Sequence, residues 1–444
     1  MKLPSLWLEN CGDDLTARPA LPGHRNVDVA IVGAGFTGLW TAHHLLRHQP
    51  SLHVAVIERE IAGWGASGRN GGWCSALFPA SWSRVAREHG ADAARRMEAT
   101  LQRTVDDVGA WCDEYAVDAH YAKGGTLSLA RGAAQVTRLR ADRDHAGTWL
   151  DAEQARARVA AAGVDGASYT RHCAAIHPAR LVRGLARVVE SQGGRIFERT
   201  SATAIHPGRV VTPHGTVRAG TIIRATEGYT ADIPATHRLL APVWSLIVAT
   251  EPLEPEVWER IGWRDRETLN DERHLIIYAQ RTADGRIVFG GRGAPYRFGS
   301  RTGGTAGHDR TYAELERTLR ELLPQTGQAR ITHRWGGVIG VPRDFMPSVT
   351  LDRQTGLGWA GGYVGDGVAC TALAGRTLAD LVLERDTDRT HLPWVGHQWR
   401  RWEPEPLRWL GVRGMTALMG SADRAEQRSG RPARRAQLLD RLTG

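Results

Sequence analysis

The sequence predicts an α/β fold in which a parallel βαβ layer is joined to an α+β region built on an antiparallel sheet. Three observations carry this reading. Residues 27–33, Val-Asp-Val-Ala-Ile-Val-Gly, are a short β-branched run ended by glycine, the pattern of a buried parallel strand. Gly33-Ala34-Gly35-Phe36-Thr37-Gly38 then opens an apolar helical stretch over 38–48, and a second short strand run follows at 53–57. Together these make one βαβ unit of about 30 residues. Far downstream, 243–250, 274–279 and 286–290 read as strands, the last two joined by Thr282-Ala283-Asp284-Gly285. An Asp-Gly turn between β-type runs signals a hairpin.

The remaining elements follow in order. Residues 63–73, Gly-Trp-Gly-Ala-Ser-Gly-Arg-Asn-Gly-Gly-Trp, hold five glycines, too many for a regular helix or strand. Helices are expected over 81–118 and 151–162, with a hairpin-like segment at Gly124-Gly125 between them. Residues 179–192 form an amphipathic helix with Leu181, Val182, Leu185, Val188 and Val189 on one side. Short strands follow over 195–205 and 208–223, separated by Gly-rich turns. A helix is predicted at 309–323, strands at 331–341 and 357–361, and a helix at 367–384. In the Trp/Arg/Pro-rich tail, Pro404 and Pro406 are expected to interrupt any helix.

Size and composition narrow the function. A chain of 444 residues predicts two or three domains, and 42% hydrophobic with 24% charged residues is a globular composition. No apolar run approaches the ~18 residues of a membrane span, and the first residues lack a signal-peptide pattern, so a cytoplasmic location is expected. The net charge of +9 is almost all arginine, with Lys2 and Lys123 the only lysines. The basic residues are interleaved with acids, which predicts a solvated surface and no nucleic-acid partner. Cys11, Cys74, Cys112, Cys173 and Cys370 form no CxxC, and the 18 histidines form no HExxH. Neither a disulfide framework nor a metal site is expected.

The glycine motif carries the chemistry. Gly33 permits a tight turn, Gly35 lets the backbone approach a pyrophosphate, and Gly38 lets the helix pack on the strand. The helix start offers N–H groups to phosphate oxygens. Glu58 stands 20 residues after Gly38, where a carboxylate can accept both ribose hydroxyls, which favours FAD or NAD over NADP. Two further loops select FAD. Ser67 and its glycine neighbours can wrap more phosphate oxygens, and Gly71 and Gly72 can admit a flat ring. Ala360-Gly361-Gly362-Tyr363-Val364-Gly365-Asp366-Gly367-Val368 leads into a helix whose N–H groups can meet the N1–C2=O2 edge of a flavin. A nicotinamide has no use for that second helix start.

With these motifs in place the chain resembles the FAD-dependent oxidoreductases of the D-amino-acid oxidase superfamily, nearest the branch containing gamma-glutamylputrescine oxidase. The resemblance rests on 32–39, 63–72, His-Pro-Ala-Arg-Leu-Val-Arg-Gly-Leu (177–185), Ala-Thr-Glu-Gly-Tyr-Thr (225–230), 248–253, 288–292 and 361–368. It implies a Rossmann-like FAD-binding domain of the glutathione-reductase type, assembled from 26–90, 165–235 and 330–390. The implied substrate domain comprises 91–164 and 236–329, with 391–444 a packed C-terminal extension. The implied activity is hydride transfer from the carbon beside an amine or amino-acid nitrogen to flavin N5, followed by imine hydrolysis. O2 reoxidises the flavin to give H2O2, or a quinone or other carrier takes the electrons. Carried over position by position, Gly33, Gly35, Phe36, Thr37, Gly38, Glu58 and Arg59 hold the ADP half. Ala66, Ser67, Arg69, Asn70, Gly71 and Gly72 line the pyrophosphate and flavin. Ala202, Thr226 and Gly228 stand near the adenine and the loop over it, and Gly365, Asp366, Gly367 and Val368 meet the flavin's pyrimidine edge.

The chain departs from the family pattern in three places. Glu227 replaces a common Asn, Asp366 a common His, and the run Tyr278-Ala279-Gln280 lacks a common Arg, which points to a different substrate. Some relatives bind FAD covalently through a Cys in the substrate half. No Cys lies between Cys173 and Cys370, so non-covalent FAD is expected, with Cys74 the remaining attachment candidate. Four residues are catalytic candidates: Tyr278 to hold the substrate, Arg292 to pair with an acidic group, Trp335 to wall the cavity and His274 to take a proton.

Overall fold

The computed structural model describes residues 5–141, 147–291, 296–304 and 308–434. The first strand, β1 (Arg25–Val32), lies between Val54–Ile57 and Gly215–Arg224 and is parallel to both. The sheet runs in the order Ser348–Asp352, Leu357–Gly361, Gly215–Arg224, β1, Val54–Ile57, Arg195–Phe197, with the first strand antiparallel to its neighbour. Strands buried on both faces read as continuous β-branched runs, which is why β1 was legible. Register brings Val32 opposite both Ile57 and Arg224. Gly33, Glu58 and Ala225 therefore leave the sheet side by side. Gly33 N–H donates to Ile57 O (2.8 Å) and Ala225 N–H to Val32 O (2.9 Å).

The helix after β1, Phe36–His48, packs on the helix Gly367–Val382. Gly375 makes that approach possible, because a Cβ there would sit 2.4 Å from Trp40 Cβ. Both helices share one core with Ala91–Glu114 and Pro178–Ser191.

A second sheet has the order Ile331–Pro342, Leu240–Thr250, Ile287–Gly291, Ile277–Arg281, Thr268–Asp271, Thr126–Ala130, Gly166–Thr170, Thr148–Asp151. All its pairs are antiparallel except Thr268–Asp271 with Thr126–Ala130. The helix Asp309–Leu322 covers it and contributes to a separate core. A two-stranded ribbon, Trp73–Ser75 with Cys173–Ala175, follows the Gly-rich loop. No helix among the described residues is long and apolar enough to cross a membrane.

Several elements differ from the sequence expectation. The helix over 81–118 is two helices, Trp82–His89 and Ala91–Glu114, divided at Gly90, whose φ of 89° breaks helical geometry. The strand expected at 274–279 begins only at Ile277. The tail contains a 23-residue helix, Leu407–Ser429, which starts directly after Pro406. Proline's missing N–H costs nothing at a helix start, so these prolines precede the helix without breaking it.

Candidate active site

A cavity of about 960 Å³ is lined by residues of both sheets and both Gly-rich loops. At the end formed by the βαβ unit stand Ile57, Glu58, Arg59, Ala202 and Thr226. Glu58 Oε2 accepts from Ala34 N–H (2.8 Å) and Oε1 from Glu60 N–H (2.9 Å). Each oxygen keeps acceptor capacity for a ribose hydroxyl. Burial raises this carboxyl above its usual range, while the two N–H donors oppose the shift. Arg59 pairs with Asp232 (3.0 Å) and lies 4.9 Å over the Tyr229 ring. Thr226 shares a hydroxyl hydrogen bond with Thr230 (2.8 Å). Gly228 does not line the cavity: a Cβ there would press on Val338 Cγ1 at 2.6 Å, so it packs the loop on the second sheet.

The middle of the cavity is built for an anion. Gly35 caps the helix Phe36–His48, and Phe36 N–H donates to Ser67 Oγ (2.8 Å), joining the two Gly-rich turns. Gly38 faces Gly33 O, which would lie 2.0 Å from a Cβ. Thr37 and Tyr363 hydroxyls are hydrogen bonded at 3.1 Å. Arg69 is 9% exposed and lies over the Trp64 ring. Its Nε donates to Trp64 O (2.6 Å), and no carboxylate among the described residues pairs with it. Burial lowers its pKa. A cation desolvated without an acid calls for a bound anion, and the pyrophosphate of FAD fits that demand. Gly365, Asp366, Gly367 and Val368 line the same cavity at the start of the helix Gly367–Val382, and Asp366 N–H donates to Tyr363 O (2.9 Å).

The rest of the cavity is lined by the second sheet and by the segment that follows the Gly-rich loop. Tyr278 lies between Gly71 and Gly290, where added Cβ atoms would fall 2.5 and 2.3 Å from its ring. Its hydroxyl is bonded to Ser245 Oγ (2.8 Å), and Trp73 meets it edge-on at 6.3 Å. Leu77, Phe78, Pro79, Ile247 and Ile276 add apolar wall, and Asn270 Oδ1 is buried without a partner among the described residues. Among the described residues near Tyr278, Arg273 and Arg138 line the cavity, and both are committed to acids. Arg273 forks onto Asp271 (2.7 and 2.6 Å), and Arg138 pairs with Glu426.

Among the described catalytic candidates, Tyr278 is the one that both lines the cavity and packs on the Gly-rich loop. Trp335 does not wall the cavity. It is buried against Trp7, and its indole donates to Arg69 O (3.0 Å), because strand register turned the ring to the other side. His274 reaches the cavity wall, but its Nε2 is bonded to Glu426 (3.0 Å) and its N–H to Asp423 (2.7 Å). It tethers the helix Leu407–Ser429. Arg292 lies outside the described residues. Gly72 stands behind the cavity at φ 73°, with Ile176 O and the Gln280 side chain where a Cβ would go. Gln280 is fully buried and donates to Gly71 O (2.8 Å) and Ile176 O (3.2 Å), so it ties the loop down and does not face a substrate. Cys74 is buried, does not line the cavity, and its thiol is pushed far above the usual range by burial. Ser245 and Asn270 carried no sequence signal, since a lone polar residue on a strand has none. Glu227 was visible only as a departure.

Comparison with known proteins identifies the family and the fold. Residues 28–381 match the family model DAO, FAD dependent oxidoreductase. The chain is 30% identical over 410 residues to the probable oxidoreductase OrdL of Rhizobium meliloti (strain 1021), covering 86% of this chain and 89% of that protein. It is 30% identical over 375 residues to gamma-glutamylputrescine oxidoreductase of Escherichia coli (strain K12), covering 82% and 84%. In fold it resembles glycine oxidase from Geobacillus kaustophilus, with a TM-score of 0.69, 22% identity, and coverage of 84% of this chain and 100% of the other.

Proposed function

The chain belongs to the DAO family of FAD-dependent oxidoreductases, and we propose that it oxidises the C–N bond of an amine that lacks a free α-carboxylate, passing the electrons to O2. The observation that carries this reading is the chamber at Tyr278. It belongs to the same cavity as the nucleotide cradle, carries the apolar wall of Leu77, Phe78, Pro79, Ile247 and Ile276, and apart from Arg69, assigned above to the pyrophosphate, its described arginines Arg138 and Arg273 are already paired with acids. An α-amino-acid carboxylate needs an uncommitted cation, whereas an amine needs walls that keep it neutral. Burial among Leu77, Phe78 and Ile247 disfavours the ammonium form. The Tyr278 and Ser245 hydroxyls and Asn270 Oδ1 supply the polar contacts that orient the C–H.

Bound FAD supplies the hydride acceptor at its N5. A primary amine then becomes an imine, which water converts to an aldehyde and ammonia. Over the full cycle amine, O2 and water give aldehyde, ammonia and H2O2. An anaerobic panel of monoamines, acylated diamines and D-amino acids tests this. Flavin absorbance should bleach with an amine and not with the amino acids, and air should restore it with stoichiometric peroxide. Bleaching only by amino acids overturns the substrate class, and dye reduction without peroxide overturns the acceptor.

Tyr278→Phe should lower kcat/KM for that amine by about tenfold, the effect of losing one orienting hydrogen bond. FAD content should stay unchanged, since the ring that packs on Gly71 remains. Unaltered kinetics would remove Tyr278 from the reaction.

A further inference from the structure

Five consecutive carbonyls of the Gly-rich loop are each held by a donor from a distant part of the chain. Ser5 Oγ donates to Gly68 O (2.7 Å), the Trp335 indole to Arg69 O (3.0 Å) and the Trp7 indole to Asn70 O (2.8 Å). Gln280 Nε2 donates to Gly71 O (2.8 Å) and Ile176 N–H to Gly72 O (2.8 Å). The peptides of this loop are trans, and in a trans peptide the carbonyl and the following N–H point in opposite directions. Holding Arg69 O and Asn70 O therefore aims the N–H groups of Asn70 and Gly71 away from the two indoles. Both residues line the cavity, and neither N–H has a hydrogen-bond partner among the described residues. An N–H fixed in this way is matched by an acceptor on whatever fills the cavity.

Two of the five donors come from the short helix Leu6–Glu9 and its cap, ahead of the family-matched residues 28–381. Trp7 is 2% exposed, packed edge-on against Trp335 (6.2 Å) and His177 (5.0 Å). Ser5 also accepts from Leu8 N–H, so its hydroxyl closes the helix and holds the loop together. We propose that Ser5 and Trp7 are positioning residues of the FAD site: they orient the loop so that the Asn70 and Gly71 N–H groups meet acceptor atoms of the bound cofactor.

Trp7→Phe keeps the ring and removes the donor. Flavin-free protein is titrated with FAD by fluorescence quenching, and the visible spectrum and midpoint potential are recorded on the rebuilt protein. We expect a Kd about tenfold weaker than wild type, the cost of one unmatched, partly buried carbonyl, with a shifted flavin band. Trp263→Phe is the control. Its indole makes a buried bond of the same length to Glu267 O (2.8 Å) away from the loop, so it should lower thermal stability and leave Kd and spectrum alone. Ser5→Ala is read by the same measurements, and decides if Trp7→Phe fails to fold. Kd and spectrum matching the Trp263→Phe protein would overturn the proposal. Wild-type protein that binds no FAD would instead overturn the cofactor assignment.

Discussion

Gly38→Ala protein should purify colourless, with FAD affinity at least about a hundredfold below wild type and stability lowered by about 3 kcal/mol. The new Cβ would lie 2.0 Å from Gly33 O and 3.1 Å from Ile31 Cγ2. The first is a backbone atom, fixed because Gly33 N–H is bonded to Ile57 O. The helix Phe36–His48 must therefore retreat, and its N–H groups leave the phosphate position. The neighbouring glycines grade the effect. A Cβ on Gly35 would meet Ser67 Oγ at 2.9 Å, a side chain that can rotate at the cost of its bond to Phe36 N–H. Gly35→Ala should weaken FAD by about tenfold. Gly414, inside the helix Leu407–Ser429, has nothing within 4 Å of a Cβ, and Gly414→Ala should stabilise by up to about 1 kcal/mol without touching FAD. Flavin absorbance per mole of protein, FAD titration and urea unfolding measure all three. Stoichiometric FAD in the Gly38→Ala protein would refute this account of the turn.

The same turn shows what a sequence can disclose. Gly33, Gly35, Gly38 and Glu58 were readable because their spacing is local: one strand, one turn and one helix determine where each residue stands. The second Gly-rich loop was readable in composition, but its restraint was not. Ser5, Trp7, Gln280 and Trp335 hold its carbonyls from sequence separations of 63 to 266 residues. Trp335 was expected in the cavity because an aromatic residue on a strand has two possible faces, and nothing local chooses between them. His274 was expected on a strand that begins three residues later, so its ring turned to the C-terminal helix. Pro404 and Pro406 argue against a helix by composition, but they stand just ahead of Leu407–Ser429 and mark its start. The arginines that line the cavity near Tyr278 are silent in the sequence for another reason. Whether a guanidinium is committed to an acid depends on partners such as Glu426, 288 residues from Arg138.

Glu227, the departure from the common Asn, should make stability fall with rising pH in a way that Glu227→Gln removes. It sits at φ 44°, just beyond the strand Gly215–Arg224. Its Oε1 accepts from Gly340 N–H (3.2 Å) in the second sheet, and its Oε2 from Gly362 N–H (2.9 Å) before the helix Gly367–Val382. One carboxyl therefore ties together three segments that line the cavity. Burial is the largest influence on it and pushes its pKa from 4.5 up to about 7, against the pull of those N–H donors. A carboxyl whose folded pKa is raised holds its proton more tightly when folded. Its stabilising contribution is complete below pH 4.5 and is lost as pH rises through 7. A shift of that size corresponds to at most about 3 kcal/mol. His43 and His177 act in the opposite sense. Burial lowers them to about 4 and about 3, so they cost stability as pH falls below 6.5. The wild-type profile alone therefore mixes both trends, and the difference between wild type and Glu227→Gln isolates the carboxyl. Urea unfolding of flavin-free protein from pH 5 to pH 8 should show the wild type losing stability relative to Glu227→Gln, most steeply below about pH 6.5 and levelling off above about pH 7. Glu227→Ala should be less stable at every pH by about 2–4 kcal/mol, because two backbone N–H groups lose their acceptor, and it should bind FAD more weakly as the three segments separate. Parallel profiles for wild type and Glu227→Gln would show that the carboxyl is ionised throughout and that its burial is offset by the N–H groups it accepts from.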